Sequence, residues 1–169
     1  MALFFRLLIF CFRLSYVTSD NVKLLKVKRL KPDAILPCKA TKDSAGLDLC
    51  ANEDVTLLAK KRTIVGTSLA VEMPSNTYGR IAGRSGLAFH YGIFCFNGIL
   101  DPDYMSEIKL LMTNESNVDF PIKKGDRVAQ LIVQSFEANI EVREVNELKK
   151  KSERGERGFG SSGMKPFKK

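Results

Sequence analysis

The chain has 169 residues, with 27 Lys and Arg against 19 Asp and Glu, a net charge of +8 and 44% hydrophobic residues. That balance belongs to a folded domain with a sizeable core rather than a disordered chain. The apolar run Leu7–Phe12 is far short of the roughly 20 residues a membrane helix needs, and one histidine, His90, excludes any scheme that needs two. Cys11, Cys38, Cys50 and Cys95 form no Cys-x-x-Cys pair, so their spacing fits neither a zinc ribbon nor a redox motif, and reduced intracellular thiols are expected.

Residues 1–21 form an extension that carries Arg6 and Arg13 and is apolar nearly all round. They lack the continuous apolar stretch of a secretory leader and the Ser-rich amphipathic pattern of an organelle transit peptide. The cytoplasm or nucleus is therefore the expected compartment, organelle import through residues 1–20 having only the Arg content in its favour. Positive charge is concentrated at the ends: residues 1–32 hold seven bases and one acid, residues 141–169 nine bases and five acids. The middle is slightly acidic, so no stable nucleic-acid or membrane partner is expected of the folded body.

Residues 22–148 read as short strands between turn signals. Thr63–Met73 is β-branched and apolar and stops at Pro74-Ser75-Asn76, while Glu107–Thr113 runs into Asn114. Arg127–Ser135 follows the turn Lys124-Gly125-Asp126, and Ile140–Val145 alternates with period two. Only Ala129–Phe136 and Val145–Lys151 also suit a helix. Strands recurring every 8–12 residues predict an all-β fold, a closed barrel or double sheet. Residues 149–169 are rich in Lys, Glu, Arg, Gly and Ser and are expected to form a flexible tail.

Four segments concentrate chemistry. Ala45-Gly-Leu-Asp-Leu49 sets one carboxylate among apolar residues, where it is either a buried hydrogen-bonded group or a carboxylate aimed at a metal. Gly83-Arg-Ser-Gly-Leu-Ala88 offers a guanidinium fork, a hydroxyl and an unobstructed backbone N–H, donors suited to phosphate. Gly98-Ile-Leu-Asp-Pro-Asp-Tyr104 places two acids and a ring after a glycine, either as a capped turn or as a carboxylate that orients water beside a ring that packs on a sugar or base. In the tail, Gly158-Phe-Gly-Ser-Ser-Gly163 matches the dinucleotide fingerprint in letters only, since the six residues that follow include no acid and nothing there would form a helix.

In this order on an all-β chain, these segments resemble the motifs of the trimeric dUTP pyrophosphatases (dUTPases). Ala45–Leu49, Gly83–Ala88 and Gly98–Tyr104 resemble the first three motifs, Gly125-Asp-Arg-Val-Ala-Gln-Leu-Ile132 the fourth and Arg154–Gly163 the fifth. The resemblance implies a jelly-roll-like β-barrel that assembles as a homotrimer with sites at subunit boundaries and hydrolyses dUTP to dUMP and pyrophosphate with Mg²⁺. By similarity, Asp101 orients the attacking water and Asp48 supports the metal through its water shell. Arg84, Ser85, Gly86 and Gln130 would hold the triphosphate. Asn97, Gly98, Ile99 and Leu100 would read uracil largely through their backbone, with Tyr104 against the deoxyribose. Arg154 would clamp phosphate, and Phe159, with Gly160 and Ser161, would close on the base. Phosphoryl transfer needs positioning and charge neutralisation more than a covalent catalyst, so the absence of a catalytic His or Cys is no objection.

The chain departs from the family pattern at Leu47, Gly83, Phe96, Met105-Ser106 and Ser162, none of them a position given a direct chemical role. Met105-Ser106 stand where the family has Arg-Gly, which bears on the trimer more than on the reaction. The deaminases that share the fold carry a Glu in the strand after the third motif, where this chain has Leu110-Leu111-Met112. The alternative of another class is a non-catalytic β-barrel, kept as a protein-binding or nucleic-acid-binding module.

Overall fold

The computed structural model describes residues 22–148, which divide into two units at Glu137/Ala138. Within the first unit, eleven short strands and one helix follow one another. They are β1 (Lys26–Arg29), β2 (Leu47–Cys50), β3 (Val55–Leu57), β4 (Arg62–Gly66), β5 (Leu69–Glu72), β6 (Thr77–Ala82), α1 (Ser85–Tyr91), β7 (Ile93–Cys95), β8 (Ile99–Leu100), β9 (Lys109–Asn114), β10 (Phe120–Ile122) and β11 (Arg127–Ser135). Pairing is antiparallel throughout, in four sheets: β2-β11-β6-β8, β4-β9-β7, β1-β5 and β3-β10. The all-β double-sheet architecture is as expected, but among the described residues the sheets stay separate and close no barrel.

Alternation builds the core. Along β6, Thr77, Gly79 and Ile81 are buried while Tyr78, Arg80 and Ala82 are half-exposed. Leu49, Leu57, Val65, Leu69, Ile93, Ile108, Leu110, Met112, Ile122 and Leu131 meet in one fully buried cluster between the sheets. Gly79 leaves room for this packing, since a Cβ would lie 2.4 Å from the Met73 methyl and 2.8 Å from Leu131 Cδ1 and would have to push both aside.

The single strand expected over Thr63–Met73 is two. Its first half pairs with β9 and its second with β1, and the chain changes sheet at Thr67-Ser68. Ser68 takes φ 52°, and the Thr67 hydroxyl donates to the Ile108 carbonyl at 2.8 Å, satisfying the corner internally. Ala129–Phe136, which also suited a helix, lies almost wholly in β11. The one helix falls instead at Ser85–Tyr91, where no helix was expected; it buries no residue and ends at Gly92, φ 66°.

The second unit, as described over residues 138–148, contains no strand or helix, so neither the strand read at Ile140–Val145 nor the start of a helix at Val145 forms there. Its apolar positions Ile140, Val142, Val145 and Leu148 are exposed, and Arg143 pairs with Glu141 at 3.2 Å. An alternating segment is held as a strand only when another strand takes up its N–H and C=O groups. Among the described residues no helix is long and apolar enough to cross a membrane.

Candidate active site

Three neighbouring strands of the four-stranded sheet, β2, β11 and β6, gather the first, second and fourth motifs. Asp48 on β2 is paired in register with Gln130 on β11, and Gln130 in turn with Ala82 on β6, two residues before Arg84. The backbone N–H of Asp48 donates to the Cys38 carbonyl at 2.7 Å, which fixes β2 on its outer side. The Asp48 side chain is only 11% exposed, and two guanidinium groups reach it. Arg127 Nη1 donates to Oδ2 at 2.9 Å, and Arg84 Nε lies 3.7 Å from Oδ1. A carboxylate so nearly out of water needs such partners.

Arg84 is at the N-cap of α1, in an extended conformation, and its side chain turns back to donate from Nη1 to the Arg127 carbonyl at 2.7 Å. No side chain caps the helix and its first turn holds no acid, so Ser85 and Gly86 open the helix without a built-in anion. A Cβ on Gly86 would meet nothing within 4 Å, and its φ is negative. Neither packing nor backbone geometry therefore requires glycine there; the open face suits a ligand that approaches the main chain. Gln130 donates from Nε2 to the Gly83 carbonyl at 2.9 Å, tying β11 to the start of the Arg-Ser-Gly segment. Beside Arg84 and Arg127 lies a cavity of about 430 Å³ walled by Leu87, Tyr91, Phe120, Ile122 and Val128, with Asp126 at its rim.

The third motif is elsewhere. Residues 96–98 cross between sheets: the Phe96 N–H donates to Leu111, and the Gly98 carbonyl accepts from Ile81. Asn97 and Ile99 are exposed, whereas the Leu100 side chain is in the core, so Leu100 can offer a ligand only its main chain. Asp101 is exposed in the turn that follows, closed by the Tyr104 N–H donating to the Asp101 carbonyl at 3.0 Å. The Tyr104 hydroxyl donates to the Glu107 carbonyl at 2.7 Å, fixing the ring.

Strand order keeps the two groups apart. Asp48 lies on one edge strand, β2, and Asp101 follows the opposite edge strand, β8, with β11 and β6 between. Three strand spacings amount to about 14 Å. One chain therefore assembles Asp48, Arg84, Ser85, Gly86 and Gln130 in one place and Asn97–Tyr104 in another. Arg154, Phe159, Gly160 and Ser161 lie outside the described residues.

Sequence reasoning gave Arg127 no task. Its contact with Asp48 depends on a β-bulge: between Asp48↔Gln130 and Cys50↔Arg127 the register shifts by one residue. The extra residue turns Arg127 onto the face that carries Asp48 and Gln130. The letters show nothing of that shift. As for a metal, the described residues contain no cluster of three His, Cys, Asp or Glu side chains that could hold an ion. A lone hard oxygen donor at Asp48 fits the way Mg²⁺ is bound, through one or two carboxylates, waters and the phosphates of a substrate.

The family model for dUTPase matches residues 32–163. The chain is 42% identical over 147 residues to the deoxyuridine 5'-triphosphate nucleotidohydrolase of Saccharomyces cerevisiae, covering 87% of this chain and 99% of that one. It superposes on the Staphylococcus bacteriophage 80alpha dUTPase with dUPNHPP at a TM-score of 0.80, with 27% identity, covering 85% of this chain and 100% of that one. A dUTPase from the S. aureus phage phi11, in a structure describing a structural Mg(II) ion, shares the fold at a TM-score of 0.69 and 22% identity, over 74% of this chain and 98% of that one. With its motifs, its architecture and more than half its length matched, the chain belongs to the dUTPase family, enzymes that hydrolyse dUTP to dUMP and pyrophosphate.

Proposed function

We propose that this dUTPase works as a homotrimer in which each site is completed by a second copy of the chain. The observation that carries this reading is the order and register of one sheet: Asp48 lies on one edge strand and Asp101 follows the opposite one, and the antiparallel pairing of Gly79 with Leu100 leaves Arg84 and Asp101 at opposite ends of the β6–β8 pair. A phosphate held at Arg84 of one copy would reach an Asp101 only if another copy brings it. Three such junctions close a ring.

In this reading the triphosphate lies across Arg84, the hydroxyl and N–H of Ser85, the N–H of Gly86 and the amide of Gln130. The uracil edge is read by the main chain of Asn97–Leu100, with Tyr104 against the sugar. A buried donor or acceptor left unpaired costs about 1–3 kcal/mol, enough to reject cytosine. Asp101 accepts a hydrogen bond from a water and takes its proton as the oxygen bonds to phosphorus and the link between the α- and β-phosphoryl groups breaks. The products are dUMP and pyrophosphate. Magnesium, when bound with the triphosphate, supplies charge neutralisation, and Asp48 holds its water shell in place. Arg154 adds a charge to the phosphates, and Phe159, with Gly160 and Ser161, covers the base.

Mixing two inactive variants tests the shared site. Asp48→Asn chains and Asp101→Asn chains, each inactive alone, are unfolded together and refolded. Some sites in the mixed trimers then receive an intact Asp48 from one chain and an intact Asp101 from another, so activity returns to roughly a quarter of wild type. Sites built within one chain would stay inactive at every mixing ratio.

A further inference from the structure

We propose that Arg127 is a positioning residue for this reaction, holding the Asp48 carboxylate in place when substrate draws Arg84 away. The inference rests on the proposed roles of Asp48 and Arg84. Asp48 has two cationic neighbours, and they differ. Arg127 makes a direct hydrogen bond at 2.9 Å, whereas Arg84 stands off at 3.7 Å and spends an N–H on the Arg127 carbonyl. Arg84 begins the Arg-Ser-Gly segment and is the group placed to turn to a phosphate, a stronger partner than a main-chain carbonyl. Once it turns, the carboxylate keeps one protein counter-charge. That charge is Arg127.

The bulge in β11 makes this arrangement. In regular pairing Val128 would stand opposite Cys50, and Arg127 would project to the other face. The inserted residue brings Arg127 round to Asp48, at the expense of a regular ladder beside a site. The rest of the Arg127 side chain stands at the rim of the 430 Å³ cavity, about half exposed, so the core does not depend on it. Its main chain holds Arg84 and its side chain holds Asp48, linking two groups that must act on one triphosphate.

Three variants of the full-length enzyme test this: Arg127→Met, Arg127→Lys and the double variant with Asp48→Asn. Arg127→Met keeps the backbone carbonyl, so the Arg84 contact survives. It is expected to retain its melting temperature and oligomeric state, to change KM for dUTP less than threefold, and to lose 30- to 100-fold in kcat. Arg127→Lys restores most of kcat, because an ammonium can still neutralise Asp48. In the double variant, where Asp48→Asn has already removed turnover, the affinity of the analogue complex for Mn²⁺ is no weaker than in Asp48→Asn alone, as expected of groups acting as a unit. Apart from activity, Mn²⁺ binding to the complex with a non-hydrolysable dUTP analogue, followed by electron paramagnetic resonance, weakens about tenfold in Arg127→Met while analogue binding without metal does not change. Should Arg127→Met fail to fold, Arg127→Gln, which is uncharged and two bonds shorter and so neither reaches nor neutralises Asp48, carries the same expectations. Wild-type kcat and Mn²⁺ affinity in these variants, or a loss of Mn²⁺ affinity that simply adds to that of Asp48→Asn, overturn the inference. A wild-type enzyme that leaves dUTP intact would instead overturn the reading beneath it.

Discussion

Gly46 and Gln130 share one space: a Cβ on Gly46 would lie 2.0 Å from Gln130 Oε1 and 3.0 Å from its Cβ. The glycine of the first motif therefore serves the glutamine of the fourth, across the β2–β11 pair. Gly46→Ala should push the Gln130 amide off the Gly83 carbonyl. The lost hydrogen bond costs about 1 kcal/mol of stability. The displaced amide should raise KM for dUTP about tenfold with a smaller change in kcat, read by steady-state kinetics beside a thermal melt.

Asp101→Asn should keep fold, assembly and nucleotide binding while turnover falls by several orders of magnitude. The amide is nearly isosteric but cannot take the proton of the attacking water. Asp101 is exposed and its carbonyl, not its carboxylate, closes the turn, so the substitution leaves the local structure intact. Near-wild-type turnover in this variant would remove Asp101 from the chemistry.

Truncation after Lys151 should leave an assembled protein that has lost nearly all hydrolysis. Residues 152–169 carry little apolar content to contribute to the core, yet they include Arg154 and Phe159. Ordering each residue of such a segment costs roughly 1–2 kcal/mol, which triphosphate and base together must offset. Limited proteolysis should find the tail sensitive in the free enzyme and protected by a non-hydrolysable dUTP analogue with magnesium.

Thiol chemistry should divide the cysteines without involving the reaction. Burial pushes the Cys95 thiol up to about 11 and raises that of Cys50, whereas Cys38 is exposed; these three, the cysteines among the described residues, are free. A raised thiol stays protonated, so at pH 8 only about one Cys95 in a thousand is the reactive thiolate. Mass spectrometry after brief iodoacetamide treatment should find Cys38 labelled and Cys50 and Cys95 spared, with labelling of Cys95 rising as the pH approaches 11.

How much of this was legible in the letters depended on the physics of each element. Arg127–Ser135 and most of Glu107–Thr113 are strands as read, because a β-branched run bounded by Gly-Asp or Asn carries both pattern and stop signal. Thr63–Met73 concealed a sheet-changing corner, since Gly66 and Ser68, split by a β-branched Thr, do not form a turn cluster within an otherwise β-branched and apolar run. Helix α1 gave no amphipathic signal because it buries nothing; Gly92 after Tyr91 was its one readable mark. Ile140–Val145 has the pattern of a strand, but pattern alone does not provide a partner. For the site, Asp48 and Arg84 were legible from motif chemistry and Gln130 from the family resemblance, and the three come together. The distance between their group and Asp101 follows from strand order, and the part played by Arg127 from a bulge, and neither can be read from residue types.

Selection and hydrolysis of dUTP by this enzyme are tested most directly by pyrophosphate release from dUTP, dCTP, dTTP and UTP, each with magnesium and with chelator. Rapid release from dUTP with magnesium, at least a hundredfold slower release from the other three, and near-complete loss on chelation are the expected results. Equal release from all four nucleotides would contradict the selection, and none from dUTP with magnesium present the hydrolysis.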